Sequence, residues 1–160
     1  MLKIIGNVAA STSFLAMVLL VSAPRVWGLT TAGAVSAVNG SVSIERAGRS
    51  VPAVDGTAVQ VGDKFTTGPN SRITIKLSDG SQLELNDSSA LVLTEDNLNP
   101  DGSRASTKVT LLTGLVRSLV HFSPSGTPNF EVHTPNAVAS ARGTLFEVSY
   151  QTTVPPAGTP

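Results

Sequence analysis

Arg72-Ile73-Thr74-Ile75-Lys76-Leu77-Ser78-Asp79-Gly80-Ser81-Gln82-Leu83-Glu84-Leu85 decides the fold class of this chain. Ile73, Ile75 and Leu77 alternate with Arg72, Thr74 and Lys76, and past a turn Leu83 and Leu85 alternate with Gln82 and Glu84. Side chains of an extended strand change faces at every residue, so a period of two gives each arm one apolar and one polar face. Asp79-Gly80 stands between the arms, a dipeptide that favours two-residue hairpin turns because both residues tolerate positive φ. The expected unit is a β-hairpin, and a hairpin with one greasy face needs further strands to cover it.

The same pattern extends in both directions. Upstream, Val35 to Arg46 alternates on either side of Asn39-Gly40, either as a tight hairpin or as one strand bent at glycine. Val61-Gly62-Asp63 and Thr67-Gly68-Pro69-Asn70 read as turns, with Gly62 and Asp63 assigned to turn positions alongside Asp79 and Gly80. Downstream, Leu91-Val92-Leu93 lacks alternation and predicts burial on both faces. Glu95 to Ser106 is polar and predicts an exposed loop. Thr107–Leu112 and Leu115–Phe122 predict two strands joined at Thr113-Gly114, followed by a short strand around Phe130–Val132, a small apolar stretch Ala137–Ala141 and a last alternating strand at Phe146–Tyr150. Helical spacing is absent after residue 35, and turn signals recur at the short intervals of an all-β protein. The expected fold is all-β, a twisted solenoid-like or sandwich-like stack of short strands.

Composition agrees. Only 14% of residues are charged, while 14 glycines and 10 prolines provide many turns. There is no cysteine, which excludes disulfides, a thiol nucleophile and thiolate metal sites. After residue 34, nine Lys/Arg stand against eleven Asp/Glu with no basic run, which argues against a nucleic-acid partner.

Residues 1–34 read as a signal peptide or an N-terminal membrane anchor helix. Lys3 is the only charge before Arg25, and an apolar block runs to Val21. Val21-Ser22-Ala23, Thr30-Thr31-Ala32 and Ala32-Gly33-Ala34 have the small-residue form of a cleavage site. An uncleaved Ile4–Ala23 segment would be long enough to span a bilayer. Either way the β-domain, residues 35–150, is expected in the periplasm or secreted from a bacterial cell, attached to the inner membrane only if the segment is retained. Residues 151–160 read as a loose Pro-rich tail.

Five pieces in order, Val61-Gly62-Asp63, Thr67-Gly68-Pro69-Asn70-Ser71, Leu77-Ser78-Asp79-Gly80-Ser81, Leu112-Thr113-Gly114-Leu115-Val116 and Thr134-Pro135 followed by Arg142-Gly143-Thr144-Leu145-Phe146-Glu147-Val148, resemble the FecR domain. This extracytoplasmic module is named after the ferric-citrate transport regulator. The resemblance spans about residues 35–150. It implies a twisted, solenoid-like β-module of the kind found in periplasmic halves of transmembrane sigma regulators and in other exported proteins. Only Met1, Leu2 and Lys3 precede the apolar segment, so no cytoplasmic anti-sigma domain is expected and iron-uptake signalling is not carried over. With no further β structure after the Arg-Gly-Thr strand, an uncovered sheet edge is expected, open to pairing with another chain.

Arg142-Gly143-Thr144 is the foremost polar candidate. Gly143 permits a close turn, and Arg142 could tie neighbouring carbonyls with its fork of donors or receive a partner's carboxylate. His121 and His133, the two histidines, alternate with apolar neighbours and are expected on wet faces; a shared metal has no supporting ligands at a suitable spacing. Asn97-Leu98-Asn99-Pro100-Asp101-Gly102 begins like a calcium loop but has Lys108 where a bidentate Glu is needed. Asp79 and Asp87 could be imagined as a carboxylate pair, but the turn accounts for Asp79. The phenylalanines fit core positions, which leaves little for sugar stacking. No nucleophile elbow or zinc-protease motif occurs, so no catalytic residue, metal or cofactor is assigned. The expected role is a non-enzymatic module that contacts a protein or envelope partner. A sensing or signalling accessory and a calcium or small-ligand binding domain are the alternatives.

Overall fold

The computed structural model describes residues 31–124 and 129–151. Among them are twelve strands and no helix: β1 (Thr31–Asn39), β2 (Val42–Arg46), β3 (Arg49–Pro52), β4 (Ala58–Gln60), β5 (Lys64–Thr67), β6 (Arg72–Leu77), β7 (Gln82–Leu85), β8 (Ala90–Leu98), β9 (Arg104–Leu119), β10 (Phe130–Thr134), β11 (Ala137–Ala141) and β12 (Leu145–Tyr150). The predicted N-terminal signal or anchor helix, up to residue 30, and the tail from residue 152 lie outside the described residues.

Strands β6 and β7 form the hairpin that their alternation predicts, with Ile73 opposite Leu85 and Ile75 opposite Leu83. Each of these side chains is at most 1% exposed, and leaving water stabilises the fold by about 2 kcal/mol per side chain. The turn differs from the two-residue expectation. Leu77 N–H donates to the Ser81 carbonyl (2.8 Å) and Gly80 N–H to the Leu77 carbonyl (3.0 Å). Gly80 takes φ +89° while Asp79 does not enter the positive region, which is a three-residue loop closed by a glycine bulge. The Asp79 carboxylate accepts the Ser81 N–H at 2.9 Å and fixes that geometry.

All strands join one curled, open sheet whose path is β3-β2-β5-β8-β9-β7-β6-β1-β4. Its pivot is β9. Up to Thr113 this strand pairs with β8 and, in parallel, with β10; from Gly114 onward it pairs with β7 and β12. The two strands predicted on either side of Thr113-Gly114 are therefore one bent strand. Gly114 has φ +92°, and a Cβ there would lie 1.9 Å from Ser89 Oγ, so only glycine makes this bend. Two arms diverge from it: β7-β6-β1-β4 with β12 on one side, and β8-β5-β2-β3 with β10-β11 on the other, β12 and β10 each pairing with β9 itself. The Asn39-Gly40 segment follows neither of its two readings: β1 and β2 are separate strands that do not pair, and between them the chain passes from one arm to the other. Ile73, Ile75 and Val116 from one arm and Ile44, Phe65, Leu91, Leu111 and Phe130 from the other meet in a single core.

The sequence and the structure differ at several points. Residues 31–34, grouped with the export segment on sequence, begin β1, and Ala32 is 2% exposed. Glu95–Ser106 is a strand hairpin and not an open loop, because its polar side chains occupy the outer face of the β8–β9 ladder: Glu95 accepts from Ser106 and Lys108, and Asn97 donates to Ser106. Leu91 and Leu93 are buried but Val92 is only half-buried, so β8 has one core face, not two. Phe122 lies past the end of β9 and is 59% exposed, which removes it from the expected core.

Candidate functional site

Arg104 opens β9, is 2% exposed and is the largest fully buried side chain. Nothing in the local sequence pattern singles it out. Its Nη1 pairs with the Asp79 carboxylate and donates to Ser81 Oγ (2.9 Å), and its Nε donates to Asn129 Oδ1 (2.8 Å). Its Nη2 donates to the carbonyls of His121 (2.9 Å) and Arg142 (3.4 Å), and the guanidinium lies 5.5 Å from the Phe130 ring centre. One side chain thus clasps the β6–β7 turn, the chain leaving β9, the chain entering β10 and the chain leaving β11. A planar fork of five N–H donors suits this task, whereas a single ammonium does not. The signal was hidden by a bulge. Asn97 faces Ser106 but Leu98 faces Arg104, so Ala105 is extra and Arg104 falls out of step with buried Thr107 and Val109.

The turn residues named from sequence hold more than turns. Asp79 is an anion with a side chain 3% exposed, paired to Arg104. Asp63 is fully buried: its carboxylate accepts from Arg46 Nε (2.7 Å), from Arg46 Nη2 (2.6 Å) and from the Gln60 N–H (2.8 Å). That hydrogen bond holds the Arg46 guanidinium pKa above its ordinary value. Gly62 and Gly80 both take positive φ, as turn positions require.

Arg142, Gly143 and Thr144 form the link between β11 and β12, and they sit against the Arg104 clasp. The Arg142 carbonyl accepts from Arg104 and from the Ser123 N–H (3.1 Å), and the Thr144 carbonyl accepts from the Val120 N–H (2.9 Å). The Arg104 fork ties carbonyls together here, and the Arg142 guanidinium lies over the exposed Phe122 ring at 5.3 Å. A Cβ on Gly143 would come within 2.8 Å of Phe122 Cα, so glycine lets these segments touch. Beside them Leu119 pairs with Leu145 across β9 and β12. Leu119, Phe122 and Leu145 are 49%, 59% and 59% exposed. They line an open groove of about 370 Å³ together with Gly80, His121, Gly143 and Thr144.

The remaining candidates disperse. His121 is exposed past the end of β9; His133, on β10, contacts Glu131 at 2.7 Å. Among the described residues no three His, Asp or Glu side chains gather where a metal could sit. The calcium-like segment spends its oxygens internally: Asn99 donates to Ser103 Oγ (3.0 Å), and Asp101 accepts from the Ser103 N–H and hydroxyl. Ser103 thereby holds the Asp101 carboxyl below its usual range. Lys108, and then Ser106, lower the Glu95 carboxyl likewise. Burial pushes the half-buried Asp96 carboxyl up, against the opposing hydrogen bond from Thr107. Asp87 lies in a separate polar hollow with Asn39, Asn70 and Arg72, away from Asp79.

Among the described residues the sheet ends in four outer strands, β3, β4, β11 and β12. Such edges present unpaired backbone donors and acceptors.

A curled β-sheet, with no helix among the described residues, a buried arginine as its lock and an apolar groove at one corner, defines the class as a β-module. The family model described as FecR protein matches residues 63–155, more than half of the sequence, and the chain belongs to the FecR family. The match begins at Asp63, so the strands before it, β1 to β4, lie outside it. A solved structure titled a cell surface anchoring domain is 23% identical and covers 42% of this chain and 97% of its own, with a TM-score of 0.38. No curated protein matches the chain.

Proposed function

We propose that this FecR-family chain is a non-enzymatic module of the bacterial cell envelope, exported to the periplasm or beyond, that docks a protein partner at the corner formed by β9, β12 and the 142–144 link. The observation that carries this reading is the exposed trio Leu119, Phe122 and Leu145 around the groove. Apolar side chains gathered on a surface and rimmed by polar groups mark interaction sites. The occupant that fits is an extended segment with an apolar side chain, laid beside the outer edge of β12. Such binding draws affinity from backbone hydrogen bonds and selectivity from the pocket.

The test is affinity capture from a bacterial envelope extract with the native chain and with Leu145→Glu, whose side chain is mostly solvent-exposed. A partner held by the native chain and lost by a variant with an unchanged melting curve supports the reading. Equal capture by both chains rejects this corner as the site. A sigma regulator as the main captured protein would favour the sensing and signalling alternative.

A further inference from the structure

The four outer strands differ in how they are protected. β3 carries Arg49 and Pro52, β4 is only three residues long, and β12 borders the corner groove proposed above to take a partner segment. Charge, proline and shortness are the usual means of keeping an edge from pairing with another chain. β11, Ala137-Val138-Ala139-Ser140-Ala141, has none of them: no charge, no proline, no bulge against β10, and Val138 is 56% exposed. We infer that β11 is a self-association edge, which pairs antiparallel with β11 of a second copy of this chain about a two-fold axis at Ala139.

Which backbone groups face outward follows from the register. The Asn129 carbonyl is taken by Thr107 N–H of β9 (2.9 Å), so the next residue, Phe130, turns its polar backbone groups toward β11. Phe130 faces Ala141, Val132 faces Ala139 and Thr134 faces Ala137. Hydrogen-bonded and non-bonded pairs alternate along an antiparallel ladder. Val138 and Ser140 therefore direct their N–H and C=O groups away from β10, into the edge. A two-fold at Ala139 sets Val138 of one copy opposite Ser140 of the other, and the reverse, so both residues exchange backbone bonds with their counterparts. Ala139 meets Ala139, where the closest approach of the strands needs a small side chain. The strand is nearly symmetric about its centre and uncharged, so it meets itself without like charges in opposition. Such an isologous contact closes at two copies. A strand this short buries little area, which places the association in the weak, concentration-dependent class. β11 belongs to the arm opposite β12, so this contact is separate from the corner docking site.

Sedimentation velocity of the processed chain from micromolar to millimolar concentration tests the inference, together with two double variants, Val138→Lys with Ser140→Lys and Val138→Glu with Ser140→Glu. Both positions are exposed, and a melting curve verifies folding. The expected result is a monomer–dimer shift in the native chain and its loss in each variant alone, where like charges face each other. Mixing the lysine and glutamate variants should restore the dimer, because each Lys then faces a Glu. A native chain that stays monomeric at millimolar concentration, or a dimer that persists in both separate variants, overturns it. Either outcome leaves the capture experiment at the Leu145 corner unaffected.

Discussion

Arg104 and Asp79 form an ion pair in which the side chains are 1% and 3% exposed, joining the first residue of β9 to the turn between β6 and β7. Two charges removed from water hold together only because the remaining donors of the guanidinium are also used, by Ser81, Asn129 and the carbonyls of His121 and Arg142. The clasp places the 142–144 link, and with it the Phe122–Leu145 corner.

Removing one partner leaves the other charge buried alone. Arg104→Ala is expected to destabilise the chain by about 3–5 kcal/mol in urea or guanidinium unfolding. Arg104→Lys should recover only a minor part, since one ammonium cannot span the same acceptors. Stability within experimental error of the native chain would show that the pair contributes nothing to the fold.

Gly114→Ala introduces a side chain at φ +92° and against Ser89, whose Oγ bonds the Leu115 N–H at 3.0 Å. A loss of about 2–4 kcal/mol is expected, combining backbone strain with overpacking. Equilibrium unfolding measures it. A Gly114→Ala, Ser89→Gly double variant should recover at most part of the loss, because the Ser89 Cα still lies 2.6 Å from the added Cβ, the hydrogen bond to Leu115 N–H is gone and the φ penalty remains.

The pH dependence has a defined sign at Asp96. Burial raises its folded-state pKa above the unfolded value near 3.8, so the cost of its charge is present above the raised value and vanishes as the pH falls below 3.8. Asp96→Asn keeps an oxygen to accept the Thr107 hydroxyl, which bonds Asp96 at 2.7 Å. The variant should melt higher than the native chain at pH 7, and the difference should disappear near pH 3. A difference independent of pH would assign the effect to something other than the charge.

If the chain is exported with cleavage, β1 decides where the cut falls. Gly33 pairs with Leu77 and Ala32 is in the core, so cutting after Ala32 or Ala34 would take residues from a paired strand. Mass spectrometry of the exported protein is expected to place its first residue upstream of Thr31, consistent with Val21-Ser22-Ala23. A mature chain beginning at Gly33 or Val35 would show that the first residues of β1 are dispensable.

The sequence by itself determined the all-β class and the central hairpin. The two-residue period of Ile73, Ile75, Leu77, Leu83 and Leu85 fixes which side chains turn inward, and alternation is a local property of extended backbone. It likewise located β10 and β12 and pointed to the family to which the chain belongs. Only the tertiary structure decided how the arms close. The bend at Gly114 turns two predicted strands into one, and the bulge at Ala105 hides Arg104 from any periodic reading. Whether Asp79 and Asp63 serve only as turn residues or as buried anions depends on cations 25 and 17 positions away in sequence. Phe122 looks like core by its neighbours, but it lies beyond the end of β9 and stays in solvent. Such contacts join distant segments, and no local pattern encodes which distant segments meet.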